Sequence, residues 1–469
     1  MVIEQIYTGC LAQGAYYIQS DGEAAIIDPL REVKPYLERA KKDQVKIKYV
    51  FETHFHADFV SGHVTLSEQT GAPIVYGPNA DPSFEAHIAK DGEVFHIGKI
   101  KVKALHTPGH TMESTTYLVI DETGKEHAIF SGDTLFLGDV GRPDLAQKTG
   151  SLTIEDLAGF SYDSLRNKIM TLPDDVIVYP AHGAGSACGK NMMKETVDTL
   201  GNQKKMNYAL RADMTKQEFI QEVTDGLQPP PSYFPLNVKM NKEGYESIDD
   251  VLSIGLTALS PAEFEALAND TDAIMLDVRH ESEFAIAHIP NSIFIGLNGS
   301  FAPWVGELII DIKQPIILIT PEGKEEEAIT RLSRVGFDNT LGYLKGGLKA
   351  WTDAGREIDK VISVPAFNLE ENYNESSTHV FDVRKESEYM SEHILTAKNT
   401  PLSTINEHLS EFPENENFYV HCAGGYRSMI ATSILKSRGI HNIIEVQGGF
   451  GAIKETKVPR TAFVCPTTL

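Results

Sequence analysis

The feature that most constrains this chain is a sequence written twice. Ile274-Met-Leu-Asp277-Val-Arg279-His-Glu-Ser-Glu283-Phe, followed by Ala287-His288-Ile289, returns as Val380-Phe-Asp382-Val-Arg384-Lys-Glu-Ser-Glu388-Tyr, followed by Glu392-His393-Ile394. Each copy then closes on a Gly-Gly pair before an apolar residue, Gly346-Gly347-Leu348 and Gly448-Gly449-Phe450. Self-similarity of this length marks a duplicated structural unit. Nearly half of the chain must therefore fold as two versions of one architecture, and the residues before them form something else.

The copies part company where chemistry is expected. In the second, the apolar run Asn417 to His421 leads into Cys422-Ala-Gly-Gly425-Tyr-Arg427-Ser428 and then a helical stretch from Met429 to Arg438. A thiol on a glycine-containing loop at a helix N-terminus meets backbone N–H groups and the positive end of the helix dipole, with Arg427 beside it, and each favours thiolate. The corresponding stretch of the first copy is Ile316-Ile-Leu-Ile-Thr320-Pro321-Glu-Gly-Lys-Glu-Glu-Glu327, with no cysteine between Cys188 and Cys422. It cannot carry a persulfide, and a spacer or docking role is expected for it. The pattern of Asp-Val-Arg, His-Ile and Gly-Gly resembles the rhodanese, a sulfurtransferase domain of α/β type with a parallel sheet. The resemblance implies that Cys422 carries sulfane sulfur, with Arg427, Gly425 and Ser428 lining its cradle; cysteine phosphatases use a longer loop. The Asp-Arg pairs read as structural salt bridges.

Upstream, Thr53-His54-Phe55-His56-Ala57-Asp58-Phe59 places two histidines and a carboxylate at the end of the apolar run Ile47 to Phe51. His106-Thr107-Pro108-Gly109-His110-Thr111, Phe130-Ser131-Gly132-Asp133-Thr134 and Tyr179-Pro180-Ala181-His182-Gly183 follow the same grammar, an apolar run ending in a turn with His or Asp. Such loops are where scaffolds place chemistry, and imidazole with carboxylate suits a transition metal. In this order the four motifs resemble the metallo-β-lactamase-fold hydrolases and their oxidative relatives. Dizinc members carry a histidine where this chain has Phe59. What remains is similar to the persulfide dioxygenase branch, which implies one Fe(II) per chain held by His54, His110 and Asp133, with His56, Asp58 and His182 orienting ligands and water from behind.

The expected fold class is thus α/β, an N-terminal αββα metallo-β-lactamase sandwich followed by two rhodanese-like domains with parallel sheets. The expected boundaries are 1–235 for the dioxygenase-like domain, 236–255 for a connecting arm after the Pro229-Pro230-Pro231 spacer, 256–360 for the inactive repeat and 361–469 for the active one. Helical patterning is expected over Glu32 to Asp43 and Asn191 to Arg211, and Asp28 reads as a turn carboxylate bracing a loop.

Together the resemblances imply oxidation of a thiol persulfide by dioxygen to sulfite, and sulfur transfer through Cys422 to or from thiosulfate. Arg142 is a candidate for gripping an anionic group of the thiol, and Cys188 a candidate for facing the iron pocket. Glutathione-specific relatives resemble PAHxY; here Gly183-Ala184-Gly185 follows, so coenzyme A or another thiol stays open. A glyoxalase II-like dizinc thioester hydrolase with a sulfurtransferase tail, and a non-enzymatic sulfur carrier or sulfide sensor, are the alternatives. A net charge of −24 speaks against nucleic acid or an anionic membrane as partner. With no long apolar segment and four scattered cysteines, Cys10, Cys188, Cys422 and Cys465, a soluble cytoplasmic protein is expected. A homo-oligomer is expected as well.

Overall fold

The computed structural model describes residues 1–145 and 152–465. Its backbone separates into two compact units, Met1–Asp250 with Thr330–Asp338, and Val251–Ile329 with Asn339–Leu469.

The first unit holds two six-stranded sheets. One runs Val2–Thr8, Gln13–Ser20, Glu23–Ile27, Lys46–Phe51, Ile74–Tyr76, His87–Ile88; the other runs Asp198–Thr199, Ile177–Pro180, Glu126–Gly132, Thr115–Ile120, Ile100–His106, Val94–Ile97. Alternation along each strand decides what meets what. Tyr16, Ile18, Ile27 and Phe51 of the first sheet pack against Val102, Tyr117, Val119 and Phe130 of the second. The opposite sides of the same strands, Tyr17, Ile26 and Val50, lie under Tyr36 and Ala40 of helix Lys34–Asp43. On the far side, Leu118, Ile129 and Val178 are covered by Ala158 of helix Ile154–Ser164 and by Phe219 and Val223 of helix Lys216–Thr224. With both faces covered, Gln13–Ser20 is buried at all but one position. These four layers are the αββα sandwich.

Two expectations fail here for physical reasons. Only Leu200–Met206 of the stretch from Asn191 to Arg211 is α-helix, capped by Thr199; the residues before it include the edge strand Asp198–Thr199, which pairs with Ile177–Pro180. The stretch 236–255, expected as a connecting arm, is largely helical: it carries helices Phe234–Glu243 and Ile248–Gly255 joined by residues 244–247, and the first is built into this unit through a buried side chain, Asn241. The Asn241 amide donates to the carbonyls of His56 and Phe59, both at 2.8 Å, and its oxygen accepts the Ser61 N–H at 2.8 Å.

The second unit contains two five-stranded sheets with one strand order, Ala258–Leu259, Thr340–Leu344, Ile316–Ile319, Ile274–Asp277, Ile293–Phe294 and then Ile362–Pro365, Ile443–Gln447, Phe418–His421, His379–Asp382, Ala397–Asn399. Every pairing in both is parallel. The duplication in sequence is thus a duplication of fold. Arg279 and Arg384 each close a fork on the aspartate two residues back, and each also donates to a backbone carbonyl, that of Ala287 or Glu392, which makes both pairs structural. Among the described residues no helix is long and apolar enough to cross a membrane.

Because Asn241 satisfies three backbone groups of the histidine-bearing loop, Asn241→Ala leaves them buried without partners. Denaturant unfolding is expected to show a loss of about 3 kcal/mol.

Candidate metal centre and cysteine loop

Strand Lys46–Phe51 delivers the first histidines. Asp28, in the left-handed region at φ 49°, turns its carboxylate toward the following loop and accepts the Thr53 N–H at 2.8 Å and the Thr53 hydroxyl at 2.9 Å. That hydroxyl, its proton given to Asp28, is 3.0 Å from His54 Nδ1 and can only accept there. His54 is therefore protonated on Nδ1, and Nε2 keeps its lone pair. The same holds for His110, whose Nδ1 lies 2.8 Å from the Arg142 carbonyl, an acceptor. Both Nε2 atoms face one oxygen of Asp133, at 4.0 Å from His54 and 3.4 Å from His110. Both Asp133 oxygens are buried with no hydrogen-bond partner. Two lone pairs and an unpartnered carboxylate within 4.8 Å of one another fit a metal cation better than any arrangement of protons.

His56, Asp58 and His182 form an adjoining set within the same reach. His182 Nε2 is 3.5 Å from Asp58 and 3.6 Å from Asp133. Burial lowers the pKa of His182 but the two carboxylates overcome it and raise the pKa above the usual range; burial raises Asp58, and His182 overcomes that and lowers it. His56 points its Nε2 at Asp28, 3.1 Å away, with Glu52 at 3.5 Å. Burial opposes charge on His56, yet these carboxylates hold its pKa up at about 10. Phe59, fully buried, stands at 4.4 Å from the His56 ring, so an apolar ring that cannot ligate follows Asp58.

Two further side chains were not singled out from the sequence. Glu52 is fully buried, accepts the Ser61 hydroxyl, and is pushed by burial up to about 7. His63, also fully buried, sits with Nδ1 3.7 Å from Glu52. A carboxylate at the end of an apolar strand was the available signal for Glu52; nothing in the spacing announced His63.

Arg142 departs from its expected role. Its guanidinium is bidentate on Asp144 at 2.6 and 2.7 Å and donates to the carbonyls of Ala187 and Gln228, so it fastens the loop holding Cys188 and is no free cation for an anionic substrate. Cys188, 1% exposed, lies within 4.8 Å of ligand atoms on Asp133 and His182. Burial, with Asp58 and Asp133, pushes its thiol up to about 12.

In the second unit, strand Phe418–His421 ends at Cys422 and helix Tyr426–Ser437 starts four residues later. Gly425, at φ 111°, turns its N–H onto Cys422 Sγ at 3.1 Å. The sequence pointed to Arg427 as the neighbouring cation; its guanidinium is forked onto Glu388 at 2.6 and 2.8 Å, leaving the backbone N–H as the group that donates to the sulfur. Ser428 bonds the Gly425 carbonyl at 2.9 Å and Glu445 at 2.8 Å, bracing the loop from below. The Gly-Gly pair has a reason too: a Cβ on Gly449 would lie 2.4 Å from the Cys422 carbonyl oxygen. In the first repeat Thr320 and the turn after it stand in place of the cysteine loop.

Comparison with known proteins agrees with this division. Residues 8–182 match the metallo-beta-lactamase superfamily, and residues 260–354 and 367–456 match the rhodanese-like domain. A solved metallo-beta-lactamase from Staphylococcus aureus subsp. aureus COL superposes with a TM-score of 0.65 at 30% identity, covering 73% of this chain and 98% of its own. A probable hydroxyacylglutathione hydrolase of Schizosaccharomyces pombe is 31% identical over 163 residues, 34% of this chain and 59% of its own length. The mitochondrial persulfide dioxygenase ETHE1 of Homo sapiens is 28% identical over 221 residues, 47% of this chain and 78% of its own. The chain spans about three-fifths of the first hydrolase relatives it matches.

Replacing Asp133 by Ala removes the carboxylate on which both imidazoles converge. Metal analysis of the purified variant is expected to fall to background while circular dichroism stays that of the wild type.

Proposed function

The chain belongs to the metallo-beta-lactamase superfamily and carries two rhodanese-like domains, and from that premise we propose that it oxidises a low-molecular-weight thiol persulfide at one Fe(II) and moves sulfane sulfur through Cys422. The observation that carries this reading is Phe59, fully buried against His56, which removes one ligand of a second metal and leaves His54, His110 and Asp133 as a facial set of two histidines and one carboxylate. His54, His110 and Asp133 would hold such an iron with positions left open, and the ion would supply the redox chemistry for persulfide and dioxygen. Overall, persulfide, dioxygen and water give thiol, sulfite and two protons.

The protein's own groups divide the remaining work. His182, paired with Asp58, holds a proton at the edge of the centre. Thr53 and the Arg142 carbonyl keep the two ligating rings in the tautomer that binds metal. In the second repeat the Cys422 thiolate attacks the outer sulfur of a persulfide, breaking its S–S bond, releasing thiolate and leaving a cysteine persulfide; sulfite then takes that outer sulfur, giving thiosulfate and regenerating the thiolate. The reverse direction loads Cys422 from thiosulfate.

A second reading, dizinc thioester hydrolysis, is favoured by the hydroxyacylglutathione hydrolase relatives and by the His56, Asp58 and His182 set. Metal content separates the two. Anaerobically handled protein is expected to hold about one iron per chain, with oxygen uptake on adding glutathione or coenzyme A persulfide. Near two zincs per chain with thioester cleavage favours the hydrolase, and no oxygen uptake with any persulfide favours a sulfur carrier.

Cys422→Ser puts in a hydroxyl that stays protonated and cannot carry sulfur. Chromatography of trapped products is expected to show sulfite from this variant where the wild type gives thiosulfate, at a similar rate of oxygen uptake. Equal ratios from both proteins would separate the two activities.

A further inference from the structure

The first repeat lacks a nucleophile, yet it is in contact with the loop of the repeat that has one. Tyr426 is the residue between Gly425, whose N–H faces the Cys422 sulfur, and Arg427. Its hydroxyl donates to the carbonyl of Gly296 in the first repeat at 2.6 Å. Phe294, two residues before Gly296, sets its ring edge-on to Tyr426 at 5.9 Å and 70°, and its N–H donates to the Ser433 hydroxyl at 2.9 Å. Near the end of the same helix, Lys436 pairs with Asp359 at 2.9 Å. Tyr426 and Ser433 are seven apart on helix Tyr426–Ser437, hence on one face. The helix whose N-terminus carries the cysteine loop is thus tied to the first repeat at its start, its middle and its end. The approach is close: a Cβ on Gly299 would stand 2.4 to 2.6 Å from carbons of the Tyr426 ring. Glycine is needed there for space, since any larger residue would meet that ring.

We infer that the first repeat braces the cysteine loop, with Tyr426 as the positioning residue through which the turn Gly296 to Gly299 fixes it. The inference rests on Cys422 being the sulfur-transfer nucleophile. Tyr426 acts through Gly425: with the tyrosine pinned, the N–H of Gly425 stays on the sulfur and the thiolate points one way.

The test changes one residue on each side of the contact in the full chain. Tyr426→Phe keeps the ring and removes the hydrogen bond; Gly299→Ala leaves the second repeat untouched and pushes on the ring from the first. Sulfur transfer is followed with thiosulfate as donor and cyanide as acceptor, and Cys422 reactivity by mass spectrometry of its iodoacetamide-labelled peptide at neutral pH. Both variants are expected to lose about tenfold in kcat with KM for thiosulfate within about twofold, and to label Cys422 more slowly, while melting close to the wild type. Wild-type kcat and labelling in Tyr426→Phe overturn the inference, and that variant decides if Gly299→Ala does not fold. A rise in KM with labelling unchanged also overturns it, because it makes Tyr426 a substrate contact. If the wild type itself transfers no sulfur, the sulfurtransferase reading fails, whereas the labelling rates still decide the positioning role.

Discussion

Everything in the N-terminal unit depends on a pair of protons held in place from behind. Thr53, itself fixed by Asp28, accepts the Nδ1–H of His54, and the Arg142 carbonyl accepts that of His110. Were either ring to switch tautomer, an N–H would point into the space in front of Asp133 and the site would repel a cation. The sandwich therefore positions more than three side chains. It positions their lone pairs, and the parts that do so, Asp28 and Arg142, are themselves buried and bonded to backbone.

Much of this is legible in the sequence. The four motifs sit at strand ends, and an apolar run followed by a glycine or proline turn announces that placement locally. The repeat declared itself by identity, and the two parallel sheets with one strand order follow from it. What escaped reading was non-local. Asn241 clamps a loop 182 to 185 residues earlier in the chain, and no pattern around it says so. Arg142 looked like a free cation because its partners, beyond the nearby Asp144, are backbone carbonyls, which a sequence never displays. The pairing of Arg427 with Glu388 went unread for a related reason, Glu388 being part of the repeated pattern and so already explained. The helix Phe234–Glu243 was hidden by three prolines just ahead of it, which end one element without forbidding the next.

The two repeats show how a duplicated fold divides its work. Each keeps its Asp-Arg fork and its Gly-Gly turn, the parts that hold strand ends together. Only one keeps the loop, and there the second glycine of the pair allows the chain to pass against the Cys422 carbonyl. In the other copy Glu325, Glu326 and Glu327 occupy the first turn of the following helix, a placement the helix dipole favours and a nucleophilic thiolate could not share.

The Asn241 clamp carries a consequence for how the protein is made. A chain leaving the ribosome presents His54 and His56 long before residue 241 exists, and Asp133 and His182 follow in between. Domains form from the N-terminus as synthesis proceeds, yet here three backbone groups of the loop bearing the first two histidines find their partner only when helix Phe234–Glu243 arrives. Until then the carbonyls of His56 and Phe59 and the N–H of Ser61 lack the partner they have in the finished unit, so the loop takes its final shape only after nearly the whole unit has been made.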